Sequence, residues 1–145
     1  MERQLVLESF SNKKAMEIGL QIIELAKRKD LVIGVEVCRL NHTVFLYLDD
    51  GLSADKRNWL RRKSNVAKHF EESSLAVKQN LKNKGMCLKG TFGLDESKFI
   101  AFGGSIPIVV KNSGLVGAVT VTGLSDVADH NIIVDALSND YQFVG

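Results

Sequence analysis

Three short stretches carry the side chains best suited to chemistry. Asp129-His130 sets a carboxylate beside an imidazole, the residue types that general acid–base work uses. Gly103-Gly104-Ser105 exposes backbone N–H groups, as glycine-rich anion-binding turns do. Arg61-Arg62-Lys63 supplies two guanidinium forks and an ammonium that suit a carboxylate or phosphate. None of them completes a motif. The glycine pair lacks the third glycine of a dinucleotide fingerprint and the Lys-Ser/Thr of a phosphate loop. No Ser-His-Asp order, nucleophile elbow or paired-carboxylate spacing is present.

On a helical wheel His130 sits among Val127, Ile133, Val134, Leu137 and Tyr141, so it points inward or toward an interface. It reads either as a hydrogen-bonded core histidine or, with Asp129, as the lining of a pocket facing the glycine-rich stretch. A single histidine without further ligands at metal-binding spacing predicts no metal site. His42 and His69 read as turn and surface residues.

Charge narrows the class of partner. The chain totals +2, too little for a nucleic-acid binder taken whole. Residues 55–69 nevertheless hold six cations against Asp55 alone, a local +5 that leaves −3 for the remainder. Trp59 falls on the apolar stripe of that basic helix, where it is not free to stack on bases, so no nucleic-acid partner is expected. The basic face itself reads either as solvated surface packed through aliphatic stems or as an anion-holding patch.

At 145 residues with one proline, no linker and no internal repeat, a single domain is expected. Glu2, Arg3 and Glu8 interrupt the N-terminus, which predicts no secretory signal, and no run approaches the roughly 18 apolar residues that span a bilayer. A cytoplasmic address without membrane contact follows. Cys38 and Cys87 are too far apart for a Cys-x-x-Cys motif and read as small core hydrophobes.

Periodicity places these stretches on elements. Ala15, Ile18, Ile22, Leu25 and Ala26 form the stripe of an amphipathic helix over 12–29, with Ser11 as N-cap. Alternation then predicts a hairpin, 31–37 and 44–48, with Asn41 taking a positive φ in its turn. Ser53 is expected to cap the basic helix running to about Glu71. A further helix spans 73–84 and closes at Gly85, and residues 86–97 read as irregular. Strands are expected at 99–102, 106–111 and 115–121, with Pro107 marking an edge or the start of a pairing. The last strand is apolar on both faces and so central, with Gly117 admitting a close backbone or ligand. Ser125 caps the final helix. Hairpin-linked strands covered by one-stripe helices give an α+β, α/β/α sandwich with a five-stranded, mainly antiparallel sheet.

Several ordered motifs together resemble the GlcG/HbpS-like, or heme-degrading-domain, family. They are Asp55, Trp59, Arg62 and Lys63; the Ser73-Ser74 pair; Gly103-Gly104-Ser105-Ile106-Pro107-Ile108; Thr120-Val121-Thr122-Gly123-Leu124; and Asp129-His130. The resemblance covers roughly residues 12–140. It implies a profilin-like fold, a homodimer or multiple of dimers, and heme or corrinoid binding as in some relatives. Relatives often carry a histidine immediately before the Gly-Gly pair, where this chain has Phe102, so axial ligation of a tetrapyrrole metal from that position is impossible.

The expectation is a small-molecule-binding domain for heme, a corrinoid or another anionic ligand. Its site residues would be Trp59, Arg62, Lys63, Gly103, Gly104, Ser105, Asp129 and His130. The alternative is a homo-oligomeric assembly protein that works through its surfaces. Helices on both faces leave strand edges free, and the apolar, lightly charged 99–109 region is expected to be one such edge, covered by a second copy.

Overall fold

A computed structural model describes residues 1–145. In chain order the elements are β1 (Gln4–Leu7), α1 (Asn12–Arg28), β2 (Gly34–Arg39), β3 (Thr43–Leu48), α2 (Asp55–Phe70) and α3 (Ser74–Lys84). There follow α4 (Leu88–Phe92), β4 (Ser105–Val110), β5 (Gly114–Thr122), α5 (Asp126–Leu137) and β6 (Gln142–Val144). The strands form one sheet ordered β3-β2-β5-β4-β1-β6. Every pairing is antiparallel except β1 with β4.

Alternation along the strands gives the sheet two unlike faces. Leu5, Leu7, Val35, Val37, Ile106, Ile108, Val119 and Val121 pack against Ala15, Ile18, Ile22 and Ala26 of α1 and Ile132, Ile133 and Leu137 of α5. Removing each large side chain from water contributes on the order of 1.5–3 kcal/mol. The intervening residues Glu36, Cys38, Ser105, Ala118, Thr120 and Thr122 face the other way, where α2 covers them, and all are buried. A smaller apolar cluster, Val66, Val77 and Leu81, lies between α2 and α3 and is extended by Phe70, Met86, Leu88, Phe99 and Ala101.

The α+β sandwich is present, with six strands instead of five. The strands absent from the periodicity are β1 and β6, of four and three residues, too short to display an alternation. Residues 99–102 are not a strand; they run alongside α2, with Ile100 N donating to Arg62 O at 3.3 Å. The irregular stretch 86–97 contains the short helix α4.

β4 is interior, flanked by β5 and β1, and Ile106 is fully buried. The bare edge expected over 99–109 therefore does not exist. Pro107 sits opposite Ala118, one residue before the β1 pairing starts at Ile108, so its missing N–H falls where no partner strand has begun. β5 is central as expected, and a Cβ on Gly117 would collide with the Cys38 carbonyl.

Ser11, Ser73 and Ser125 each cap a helix through Oγ. Ser53 does not: α2 starts from Ala54 without a side-chain cap. The positive φ expected at Asn41 occurs instead at Asn112, φ 62°, in the β4–β5 turn. Irregularity in the β2–β3 register after Val37 lets the first hairpin turn without it.

Candidate functional site

Four elements converge where β4 begins and β5 ends. Helix α2 contributes Lys56, Trp59, Arg62 and Lys63; α3 contributes Lys78; the approach to β4 contributes Phe102, Gly103 and Gly104; and α5 contributes Asp126 and Asp129. At the centre, Lys63 Nζ donates to Asp129 Oδ2 at 2.8 Å and to the Val121 carbonyl at 2.9 Å. Both side chains are only 1% exposed. Asp129 Oδ1 accepts from Leu124 N at 2.9 Å. The pair closes over the end of the sheet and ties the α2 layer to the α5 layer.

Gly104 explains how the pair fits. At φ 126° it adopts a conformation that favours glycine, and a Cβ there would stand 2.5 Å from Val121 O, 2.8 Å from Asp129 Cβ and 2.9 Å from Lys63 Nζ. A Cβ on Gly103 would collide with the Asp126 carbonyl. The two glycines thus make room for α5 and the buried ammonium.

Burial outweighs attraction in this pair. It pushes the Asp129 carboxyl up to about 6 against the pull of Lys63, and it lowers the Lys63 ammonium against the pull of Asp129. Each charge is held by its partner in a site that disfavours both.

Outside the pair lies an aromatic and cationic surface. Trp59 meets Phe102 edge-on at 5.7 Å. Lys56 and Arg62 stand 5.6 and 5.5 Å from the Trp59 ring, and Lys78 stands 4.8 Å from Phe102. Lys78 also pairs with Asp126. Burial opposes ionisation of Asp126, but Lys78 and nearby backbone N–H groups hold its carboxyl below the ordinary value.

Beyond Arg62 and Lys78 the surface sinks into a depression of about 470 Å³. Its apolar lining is Leu81, Met86, Cys87, Leu88, Phe99, Ile100 and Ala101; Arg62, Lys78, Lys82 and Lys89 bring positive charge, against Glu96 alone. Arg62 is held in place by the Glu96 carbonyl, which accepts from Nε at 3.1 Å and from Nη2 at 2.7 Å. A wider groove of about 680 Å³ between α1 and α5 holds Glu17, Glu24, Asp135 and Asp140 against Arg28 alone, a net charge that repels anions.

Of the expected site residues, the fold brings Trp59, Arg62, Lys63, Gly103, Gly104 and Asp129 together and separates the other two. Ser105 N is already committed as a donor to Ser74 Oγ at 3.0 Å, and its hydroxyl pairs with Thr120 at 2.8 Å. His130 turns away from Asp129, since successive helical residues are rotated by about 100°. It is 1% exposed, with Nε2 3.0 Å from Glu2 Oε1 and Nδ1 without a partner. Its bond is the largest of the effects that hold the Glu2 carboxyl below the ordinary value. The residues that the sequence reading missed are Lys78, Lys82, Lys89 and the apolar floor. The clue was present in the lysines of 78–89 combined with Leu81, Met86 and Leu88. No three His, Cys, Asp or Glu side chains gather to hold a metal, and no helix is long and apolar enough to cross a membrane.

The model of the family described as "Haem degrading protein HbpS-like" matches residues 10–138. This chain belongs to the HbpS-like family. UPF0303 proteins of Paraburkholderia phytofirmans and Zymomonas mobilis are 35% and 36% identical to it, over 136 and 137 residues. Each alignment covers 94% of this chain, and 82% and 74% of the respective relatives. Among solved structures, the Ybr137w protein superimposes with a TM-score of 0.83 at 22% identity, over 91% of this chain and 78% of that one. HbpS gives 0.72 at 18%, over 90% and 89%, and a structure described as a PduOC:heme complex gives 0.78 at 14%, over 94% and 99%. At these identities the structural likenesses establish the shared HbpS-like fold.

Proposed function

We propose that this HbpS-like domain binds a small anionic ligand with a flat apolar body, of the heme or corrinoid class, in the depression between α2, α3 and α4. The observation that carries the reading is the apolar floor with four cations around it. Arg62, Lys78, Lys82 and Lys89 would hold the ligand's carboxylates, and Leu88, Phe99 and Ile100 would cover its apolar body. Trp59 stands at the Arg62 side of the rim, while Lys63, Gly103, Gly104 and Asp129 form the rigid frame behind it. The family description and the heme named in the PduOC structure support the same ligand class. No histidine lines the depression; its sulfur-bearing residues are Met86 and the free, exposed Cys87.

Titrating hemin into the protein tests this reading. A saturable Soret shift with quenching of Trp59 fluorescence is expected. Reversing Lys82 and Lys89 to Glu, two exposed residues, should weaken binding by about tenfold or more, equivalent to about 1.4 kcal/mol, with the melting temperature unchanged. Absence of a saturable change, or equal affinity in the charge-reversed variant, would refute the proposed site.

A further inference from the structure

The two cysteines end in opposite settings. Cys38 is the core residue expected, buried in the sheet with its thiol donating to the Ala118 carbonyl at 3.7 Å. Cys87 shares that expectation from sequence, yet it is free and exposed on the wall of the cation-rimmed depression, because it caps α4 instead of facing the core. The other sulfur of the depression, Met86, packs against the Val66, Val77 and Leu81 cluster.

The start of α4 holds the Cys87 sulfur in one place. Sγ accepts from Gly90 N at 3.2 Å, the Cys87 N–H donates to Thr91 Oγ1 at 3.2 Å, and the Cys87 carbonyl accepts from Thr91 N at 3.0 Å. A Cβ on Gly90 would stand 3.0 Å from Sγ, so glycine at that position leaves the sulfur uncrowded. A single N–H contact leaves lone pairs of the sulfur open, and hydrogen bonds of this kind steady and tune sulfurs that ligate iron. The rest of the lining offers poorer donors. Its lysines and arginine are cations without a free lone pair, and the Glu96 carboxylate is a hard donor. Arg62, Lys82 and Lys89 outnumber Glu96, with Lys78 shared with Asp126, so the depression accommodates an anionic sulfur beside an anionic ligand.

We propose that Cys87 is a metal-coordinating residue of this depression, binding the iron of a heme-class ligand through its sulfur as the thiolate. The proposal rests on the heme-class reading given above. One iron–sulfur bond forms and the thiol proton passes to water; no electron is transferred.

Hemin titrated into the full chain, with its thiols kept reduced, tests this. The ferric complex should show an iron–sulfur stretch in its resonance Raman spectrum, and heavy-sulfur labelling of cysteine should lower that frequency. Cys87→Ser keeps an oxygen to cap Gly90 N; it should abolish the stretch and weaken hemin binding about tenfold or more. Iron-free protoporphyrin IX offers no metal and should bind both proteins with the same affinity. The labelling needs no substitution, so it decides the matter even if the variant unfolds α4. A saturable hemin complex without the stretch, or a stretch that survives Cys87→Ser, would overturn the ligation while leaving the depression as the site. Equal weakening of both porphyrins by Cys87→Ser would make the cysteine a packing residue and overturn the ligation too. Failure of hemin to saturate the wild type would overturn the depression and its ligand together.

Discussion

The two faces of the central sheet are built by alternate residues of the same strands, yet they bury opposite chemistries. Toward α1 and α5 the strands pack apolar side chains, aliphatic apart from Phe45 and Phe143, whose burial is favourable in any mutual orientation that fills space. Toward α2 they present Glu36, Ser105, Thr120 and Thr122, whose burial is favourable only with a partner in place. The main partners are specific: Glu36 receives Thr43 Oγ1 and lies 3.4 Å from Arg57, Ser105 meets Thr120, and Lys63 meets Asp129 and Val121 O. The first face supplies stability through area. The second positions α2 through directed contacts, and it is this layer that carries the basic, aromatic surface.

The largest expected effect comes from breaking the directed layer at its most buried point. Asp129→Leu leaves the Lys63 ammonium without a carboxylate and should cost about 3–5 kcal/mol in a denaturant melt. Replacing both, with Lys63→Met alongside Asp129→Leu, should recover most of that loss, because the one ammonium left uncompensated by the single change is itself exchanged for apolar volume. Equal losses in the single and double variants would mean that the pair is not the element that ties α2 to α5.

The same pair sharpens the contrast through pH. The folded Asp129 carboxyl titrates near 6 against an ordinary 3.8, so between about pH 4 and 6 the folded state holds more proton than the unfolded one. Its contribution to stability is present at the acid end of that window and is lost as pH rises through it, by up to about 3 kcal/mol at 1.36 kcal/mol per unit. Glu2, Asp95 and Asp126, all with lowered values, contribute in the opposite sense at lower pH. The measurement is therefore the difference between wild type and Asp129→Asn, whose stability should lack the Asp129 decline across the window. Parallel curves would place the carboxylate in a more hydrated setting than its 1% exposure implies.

The smallest expected effect compares how the two layers start their helices. Ser11→Ala removes the Oγ that accepts from Lys14 N at 3.0 Å and should cost about 1 kcal/mol. Ser53→Ala, ahead of α2, should fall within about 0.5 kcal/mol because no side-chain cap exists there. A cost at Ser53 equal to that at Ser11 would show that α2 is capped after all.

What the sequence determined by itself was whatever depends on local periodicity and local chemistry. The α1 stripe, the β2–β3 hairpin, the central position of β5, the Ser11, Ser73 and Ser125 caps and the close approach at Gly117 all follow from residues within a turn or a strand of one another. The ordered motifs around Trp59, Gly103-Gly104 and Asp129-His130 also sufficed to indicate the family. Tertiary structure alone decided what depends on partners far along the chain. β1 and β6 are strands because β4 and each other supply their ladders, which is why Ile106 is core and the free edges belong to β3 and β6. Lys63, in a basic helix, is buried because Asp129 arrives from 66 residues away. Asp129 and His130 part company because a helix turns them toward Lys63 and Glu2. The cation-rimmed depression exists because α4 and the 94–101 segment fold back over α2 and α3, and no periodicity in the chain encodes that return.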